Sequence, residues 1–94
     1  MIDNYYVGMV LEPKHDTKYS PSRILRLEPY DVIILTEEGD EHLLSKVEVE
    51  DLFELDNDYN RLVIENSQSE DIYVKMAFKQ DLENYIYGVV NAWV

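Results

Sequence analysis

Apolar and polar positions alternate, or form short apolar runs, through the middle of the chain. Residues 32–35 (VIIL) are a continuous apolar run bounded by turn residues, which predicts a strand buried on both faces. Segments 23–28 and 41–47 flank this run and alternate between apolar and polar residues. Gly39 can adopt the positive φ that a tight hairpin turn requires. The pattern therefore predicts an antiparallel meander of three strands, the middle one spanning 31–36.

The alternation in the third of these strands also predicts which side chains face the core. The residues on the apolar side are Leu43, Val47 and Val49, and those on the opposite side are His42, Lys46 and Glu48. Leu44 interrupts the alternation and makes the second side partly apolar. We expect the strand to continue as an extended segment towards Val49.

Most of the remaining apolar segments also favour strands. The predicted strands are 5–11, in which Gly8 marks a bulge or a close backbone approach, 61–65, and 71–78, which alternates throughout. Prolines bracket residues 12–21, which predicts a loop. Residues 50–60 form a boundary segment with one helical turn or a short strand edge.

The C-terminal stretch, 84–94, fits two structures. Its β-branched and aromatic residues, with Gly88 in the interior, favour a strand. The alternative is a helix with Asp81 as its N-cap. The apolar stripe of that helix would comprise Leu82, Tyr85, Ile86, Val89, Val90 and Trp93.

Seven short strands at regular spacing predict an all-β fold, which would become α+β if the C-terminal segment is helical. The strand lengths and turns of the first half favour a small SH3-like barrel or a sandwich of antiparallel strands. At 94 residues, the chain is expected to form one domain spanning 1–94.

Charge is the most informative property of the composition. The chain has 20 acidic and 8 basic residues and a net charge of −12, and residues 37–58 alone hold ten acidic residues and one basic residue. Such a field disfavours direct binding to nucleic acid or to anionic lipid. The negative field favours a partner with a basic surface. The alternative is that the acidic residues only make the chain soluble.

Composition also bounds the compartment and the chemistry. The chain contains no cysteine, no long apolar stretch and no signal peptide, so we expect a cytoplasmic protein. Residues 56–60 match the start of a calcium loop, but Arg61 stands where that loop needs glycine. His15 and His42 are far apart, and the glycines are isolated. We therefore predict no metal, no cofactor and no enzymatic activity.

The leading functional hypothesis is a non-enzymatic binding module or inhibitor that docks on a basic surface of another protein. A sharper version is a phage-type mimic of nucleic acid that blocks a nucleic-acid-binding defence or DNA-processing protein, because carboxylates on a rigid scaffold can replace phosphates. The predicted contact residues are Glu37, Glu38, Asp40, Glu41, Glu48, Glu50, Asp51, Glu54, Asp56 and Asp58.

Two alternatives use other surfaces. In the first, the chain is an SH3-like adaptor that binds a peptide through aromatic residues near the 12–21 loop, with Tyr19 and Tyr30 as candidates. In the second, the chain adds an edge strand to a partner or to itself. The sequence leaves the oligomeric state open.

Overall fold

A computed structural model of the chain describes residues 5–15, 17–66 and 72–91. A curled, five-stranded antiparallel sheet with the order β4-β3-β2-β1-β5 is combined with helices. The fold is therefore α+β, the alternative that a helical C-terminal segment implied, and the all-β barrel is not confirmed. The elements are β1 (Val10–Pro13), β2 (Ser22–Leu27), β3 (Asp31–Thr36), β4 (Glu41–Ser45), α1 (Lys46–Leu52), β5 (Phe53–Glu54), α2 (Asp58–Asn66) and α3 (Ile72–Asn91).

The predicted meander is confirmed as β2, β3 and β4, but its third strand ends at Ser45. Ser45 caps α1: its hydroxyl accepts from the Glu48 N–H, and the Glu48 carboxylate accepts from the Ser45 N–H, each at 3.1 Å. The prediction of an extended segment through Val47 and Val49 was wrong, because this reciprocal capping starts a helix. On α1, Val49 is buried and Val47 is exposed.

The predicted orientation of β4 was also wrong. Leu44 is buried and Leu43 is 66% exposed. The register explains the difference, since Leu44 lies directly opposite Val32, which is fully buried. Directly opposed residues of an antiparallel pair point to the same face of the sheet. The interruption of the alternation at Leu44 therefore marked the true inner position.

Beyond β5 the described chain is helical, so the strands predicted at 61–65 and 71–78 were wrong over their described residues. The strand favoured for 84–94 was wrong as well, since α3 extends to Asn91. The side chain of Asn57 accepts from the Asn60 N–H at 2.9 Å and caps α2. In α3, Val89 is buried and Leu82 half-buried, as the helical alternative required. However, the helix begins at Ile72, and Asp81 is not its N-cap. The sequence also predicts a turn at 66–69. Asn66 instead ends α2, and residues 67–69 lie outside the described residues, as do Trp93 and the side chain of Val90.

The predicted N-terminal strand is shorter than expected. Residues 7 and 8 form a turn, with Gly8 at φ 94°, and β1 begins at Val10. A Cβ atom at Gly8 would lie 3.3 Å from Cδ2 of Leu82, which confirms the predicted close approach of the backbone. The core beside this segment comprises Met9, Leu11, Ile24, Val32, Ile34, Leu44, Val49, Phe53 and Leu55.

Arg23 attaches α3 to the sheet. Its side chain is buried, and Nε donates to the Gly8 carbonyl at 2.7 Å. Nη2 donates to the Tyr59 hydroxyl at 2.9 Å and to Asp81 at 3.1 Å. The guanidinium also lies 4.8 Å from the centre of the Tyr59 ring and 5.3 Å from that of Tyr85. One β2 side chain therefore contacts the N-terminal turn, α2 and α3.

Asn60 attaches α2 to β1. Its Oδ1 accepts from the Tyr6 hydroxyl at 2.6 Å and from the Val10 N–H at 3.0 Å. Its Nδ2 donates to the carbonyls of Val10 at 2.8 Å and Leu55 at 2.9 Å. The side chain is fully buried. Because β5 pairs only with Glu12 and Pro13, the amide of Asn60 takes the place of a neighbouring strand at Val10.

Candidate functional site

The predicted acidic residues do not form one continuous segment in space. Four of them surround the β3–β4 turn, and we name Glu37, Glu38, Asp40 and Glu41 the hairpin cluster. The other six lie on α1, on β5, in the loop that follows β5 and at the start of α2, and we name Glu48, Glu50, Asp51, Glu54, Asp56 and Asp58 the connector cluster. The strand β4 separates the hairpin cluster from the start of α1 by about 14 Å, at about 3.4 Å per residue. Glu50 is half-buried, and the other nine are exposed.

Main-chain hydrogen bonds hold the backbone of the hairpin cluster. The Thr36 N–H donates to the Asp40 carbonyl at 2.9 Å, and the Asp40 N–H donates back to the Thr36 hydroxyl at 3.0 Å. Gly39 has the predicted positive φ, 92°, and is buried. The Glu37 N–H donates to the carbonyl of Pro21 at 3.1 Å. Residues 37–41 therefore present four carboxylates and no basic residue, on a backbone that hydrogen bonds hold in place.

The electrostatics of the hairpin cluster extend to α3. The Ser20 hydroxyl donates to the Glu38 carboxylate, which lowers the pKa of Glu38. Tyr85 of α3 donates its hydroxyl to the Leu35 carbonyl at 3.0 Å. Burial, and after it the negative charge of Glu37, raises the pKa of Tyr85 to about 12. The charged form of Glu38 is therefore favoured, and the hairpin cluster lies close to α3.

Carboxylates of the connector cluster are engaged within the chain. Arg61 pairs with Asp56 at 3.0 Å and with Asp58 at 3.2 Å. Glu48 closes the capping box of α1, and Glu54 accepts from the Asp56 N–H at 3.4 Å. These contacts reduce the negative charge that this cluster offers to a partner.

One acidic residue near the connector cluster was not predicted from the sequence. Glu12 lies directly opposite Glu54 in the β1–β5 pair, and both are exposed. Like charges in directly opposed positions destabilise a sheet. Glu12 belonged to a predicted loop, so no local signal could place it beside a residue 42 positions away.

The two candidate aromatic residues lie beyond opposite ends of β2. Tyr19 is half-buried, with its ring centre 5.1 Å from that of His42 and 5.9 Å from that of Phe53. Tyr30 is 82% exposed. A six-residue strand separates its ends by about 17 Å. The two tyrosines therefore do not line one groove, and Tyr19 contributes to the core.

The stretch that matched the start of a calcium loop has internal partners. The amides of Asn57 and Asn60 both donate to the Val10 carbonyl, at 3.2 and 2.8 Å, while Arg61 pairs with Asp56 and Asp58. Among the described residues, no group of three or more His, Asp or Glu side chains is arranged to hold a metal ion. No helix in the described ranges is both long and apolar enough to cross a membrane.

An apolar cleft of about 320 Å³ lies between the N-terminal turn, α2 and α3. Its lining includes Tyr6, Gly8, Tyr59, Phe78, Lys79 and Leu82. The Tyr6 hydroxyl is bonded to Asn60, and the Tyr59 hydroxyl accepts from Arg23. The cleft is near the lower size limit of ligand pockets, and its hydroxyl groups are already used, so it offers little to orient a ligand.

No protein-family model, no curated protein and no solved structure matches this chain. The function is therefore argued from the arrangement of its own side chains.

Proposed function

We propose that this chain is a non-enzymatic protein-binding module that docks its hairpin cluster on a basic surface of a partner. The observation that supports this is the set of four carboxylates within residues 37–41, on a turn held by hydrogen bonds and without a cation among them. A preorganised turn loses little conformational freedom on binding. A net charge of −12 also steers a basic partner towards the chain.

The hairpin cluster is a better contact surface than the connector cluster. The side chains of Glu37, Asp40 and Glu41 form no hydrogen bond or ion pair within the part of the chain that the structure describes. Asp56 and Asp58 already share Arg61, so a cationic partner would have to compete with it. Electrostatic complementarity mainly sets the specificity and the rate of association. Both should therefore depend more on the hairpin cluster than on the connector cluster.

The sharper version of this proposal is that the chain is an inhibitor that mimics nucleic acid. Closely spaced carboxylates on a rigid turn can occupy the cationic positions that a phosphate backbone would fill. The partner would then be a nucleic-acid-binding protein, for example a phage-defence or DNA-processing protein, and the chain would compete with nucleic acid for it.

Two matched variants test which cluster binds. One is Glu37→Lys/Asp40→Lys/Glu41→Lys, and the other is Glu50→Lys/Asp51→Lys/Glu54→Lys, so both change the net charge equally. Each is compared with wild type in an affinity capture from lysate of the source organism, at about 0.1 and 0.5 M salt. We expect a basic protein to be captured by wild type and by the connector variant at low salt only, and to be lost with the hairpin variant.

Equal loss with both variants would show that net charge alone attracts the partner, and capture by all three at both salts would refute acidic docking. The captured protein is then tested with a fluorescently labelled DNA duplex. If the chain mimics nucleic acid, wild type releases the duplex and lowers its fluorescence anisotropy, whereas the hairpin variant does not. A ternary complex would contradict mimicry while leaving docking intact.

A second candidate function is an SH3-like adaptor that binds a peptide through Tyr30. Its support is the 82% exposure of this ring, together with a strand order in which β5 returns to β1 beside the β1–β4 meander. Binding of this kind would be insensitive to salt and lost in Tyr30→Ala, whereas Tyr30→Phe would preserve it. Salt-sensitive binding that survives Tyr30→Ala would exclude this candidate.

A further inference from the structure

The side of α3 that faces away from the sheet carries a stripe without charged residues. Along a helix with 100° between successive residues, one line contains Tyr73, Met76, Gln80, Asn84 and Tyr87, which we name the outer stripe. Tyr73 is 80%, Met76 59% and Tyr87 73% exposed. The stripe is about 21 Å long. In a chain with 30% charged residues, a line of five solvent-facing residues would on average include one or two charges.

The residue types of the outer stripe are those of a protein interface. Tyrosine and methionine are enriched at the centres of interfaces, where charged residues are depleted. The polar residues at the middle of the stripe, Gln80 and Asn84, are joined by a hydrogen bond of 3.0 Å. The stripe therefore has an ordered polar centre with an exposed aromatic residue towards each end.

The two tyrosines of the stripe are placed symmetrically about Gln80, and the counterpart of Met76 is Asn84. Tyr73 lies seven positions before Gln80 and Tyr87 seven positions after it. A two-fold axis through Gln80, perpendicular to the helix, would bring Tyr73 of one chain to Tyr87 of the other. Such an isologous contact is the usual form of a homodimer interface. We propose that α3 packs antiparallel against α3 of a second copy of this chain through the outer stripe.

The charges beside the stripe complement one another in this arrangement. Lys79 and Glu83 lie on the same flank of the stripe and are both exposed. The axis through Gln80 places Glu83 and Lys79 of the second copy both about 3 Å, along the helix, from the level of Lys79. Glu83 is the closer of the two because it lies about 40° nearer to the stripe, and this pairing occurs twice by symmetry. On the other flank, Asp81 is paired with Arg23 of its own chain. A second copy thus fits the stripe without opposing unpaired acidic residues.

The net charge predicts how self-association depends on salt. Two chains of −12 repel each other, so they associate through the surface that carries no charge. One helix face of about 21 Å by 10 Å buries less than the roughly 800 Å² per partner of a stable interface, so the dimer is weak. Salt screens this repulsion and therefore strengthens the dimer. Docking through the hairpin cluster has the opposite salt dependence, so either proposal can fail alone.

Sedimentation equilibrium of the full chain tests the proposal, from about 10 μM to about 1 mM at about 0.1 and 0.5 M salt. The mass should rise from the 11.1 kDa of one chain towards twice that value, at lower concentration in high salt. Gln80→Glu places two like charges at the axis and should weaken association at least tenfold. Asn66→Asp, which adds the same charge on α2, should not. A monomer throughout, or equal effects of the two variants, would overturn the proposal.

Disulfide trapping tests the orientation, since the chain contains no cysteine. Oxidised Gln80→Cys chains should link to each other, because the axis places this position opposite itself. Tyr73→Cys chains should not link to one another, but should link to Tyr87→Cys chains when the two are mixed. Linking of Tyr73→Cys to itself would indicate parallel helices and contradict the antiparallel arrangement.

Discussion

Asn60→Ala is the substitution that most directly tests how the helical half is joined to the sheet. The side-chain amide of Asn60 is fully buried and makes four hydrogen bonds, to the Tyr6 hydroxyl, to the N–H and carbonyl of Val10 and to the Leu55 carbonyl. Three of these partners are main-chain groups. The Val10 carbonyl also accepts from the Asn57 amide at 3.2 Å, so most of the cost lies at the Val10 N–H and the Leu55 carbonyl. The loss of these hydrogen bonds therefore sets the cost of the substitution.

The expected cost follows from the hydrogen bonds. Each contributes about 1 kcal/mol net, which gives about 4 kcal/mol for the four. Alanine recovers about 0.6 kcal/mol, because it favours the helix more than asparagine does. We therefore expect Asn60→Ala to lower the free energy of unfolding by about 3 kcal/mol, a large share of the 5–15 kcal/mol that is typical of a domain.

Urea denaturation followed by circular dichroism measures this change, with the m-value unchanged if unfolding stays two-state. Asn66→Ala is the matched control in the same helix, since the Asn66 amide makes one exposed hydrogen bond, to the Leu62 carbonyl at 2.8 Å. It should cost less than about 0.5 kcal/mol. A cost below about 1 kcal/mol for Asn60→Ala, or equal costs for the two variants, would refute the role assigned to Asn60.

Four further substitutions test α3 and its contacts. Gly8→Ala should cost about 1–2 kcal/mol in the free energy of unfolding because of the positive φ and the contact with Leu82. Gly88→Ala, which meets nothing within 4 Å, should instead stabilise the chain by about 0.5–1 kcal/mol in the same assay. Arg23→Met should speed amide hydrogen exchange in α3 at least tenfold while β3 stays protected. Arg26→Met, which changes a side chain that is 67% exposed, should not. Because the pKa of Tyr85 is raised to about 12 in the folded chain, its contribution to stability is complete below about pH 10 and is lost as the pH rises towards 12. Tyr85→Phe should therefore make the loss of stability at alkaline pH shallower, as measured by urea titrations at a series of pH values. An unchanged slope would contradict the burial of this hydroxyl.

The central meander could be predicted because its signals are local. An apolar run bounded by turn residues and a glycine able to adopt positive φ define the β3–β4 hairpin without help from distant residues. The start of α1 was equally local, since Ser45 and Glu48 form the S-x-x-E pattern of a capping box. The alternation of 41–47 hid this signal, because it favoured a continuing strand.

The helices α2 and α3 show why the second half was misassigned. Segments 61–65 and 71–78 are rich in β-branched or alternating residues, which favour strands by only about 0.5 kcal/mol per residue. Burial of one helix face and the cap that Asn57 provides outweigh such preferences. Both periods are present in these segments, so the pattern alone did not decide between them.

The sequence by itself determined the charge, its concentration in residues 37–58, and the hairpin on which four of those carboxylates lie, because each depends on composition or on neighbouring residues. Only the tertiary structure decided that the acidic residues divide into two clusters and that Arg23 reaches Asp81. It also decided that Asn60 completes the sheet at Val10. These contacts join residues 50 or more positions apart, and their formation depends on how the helices pack on the sheet, which no local pattern encodes.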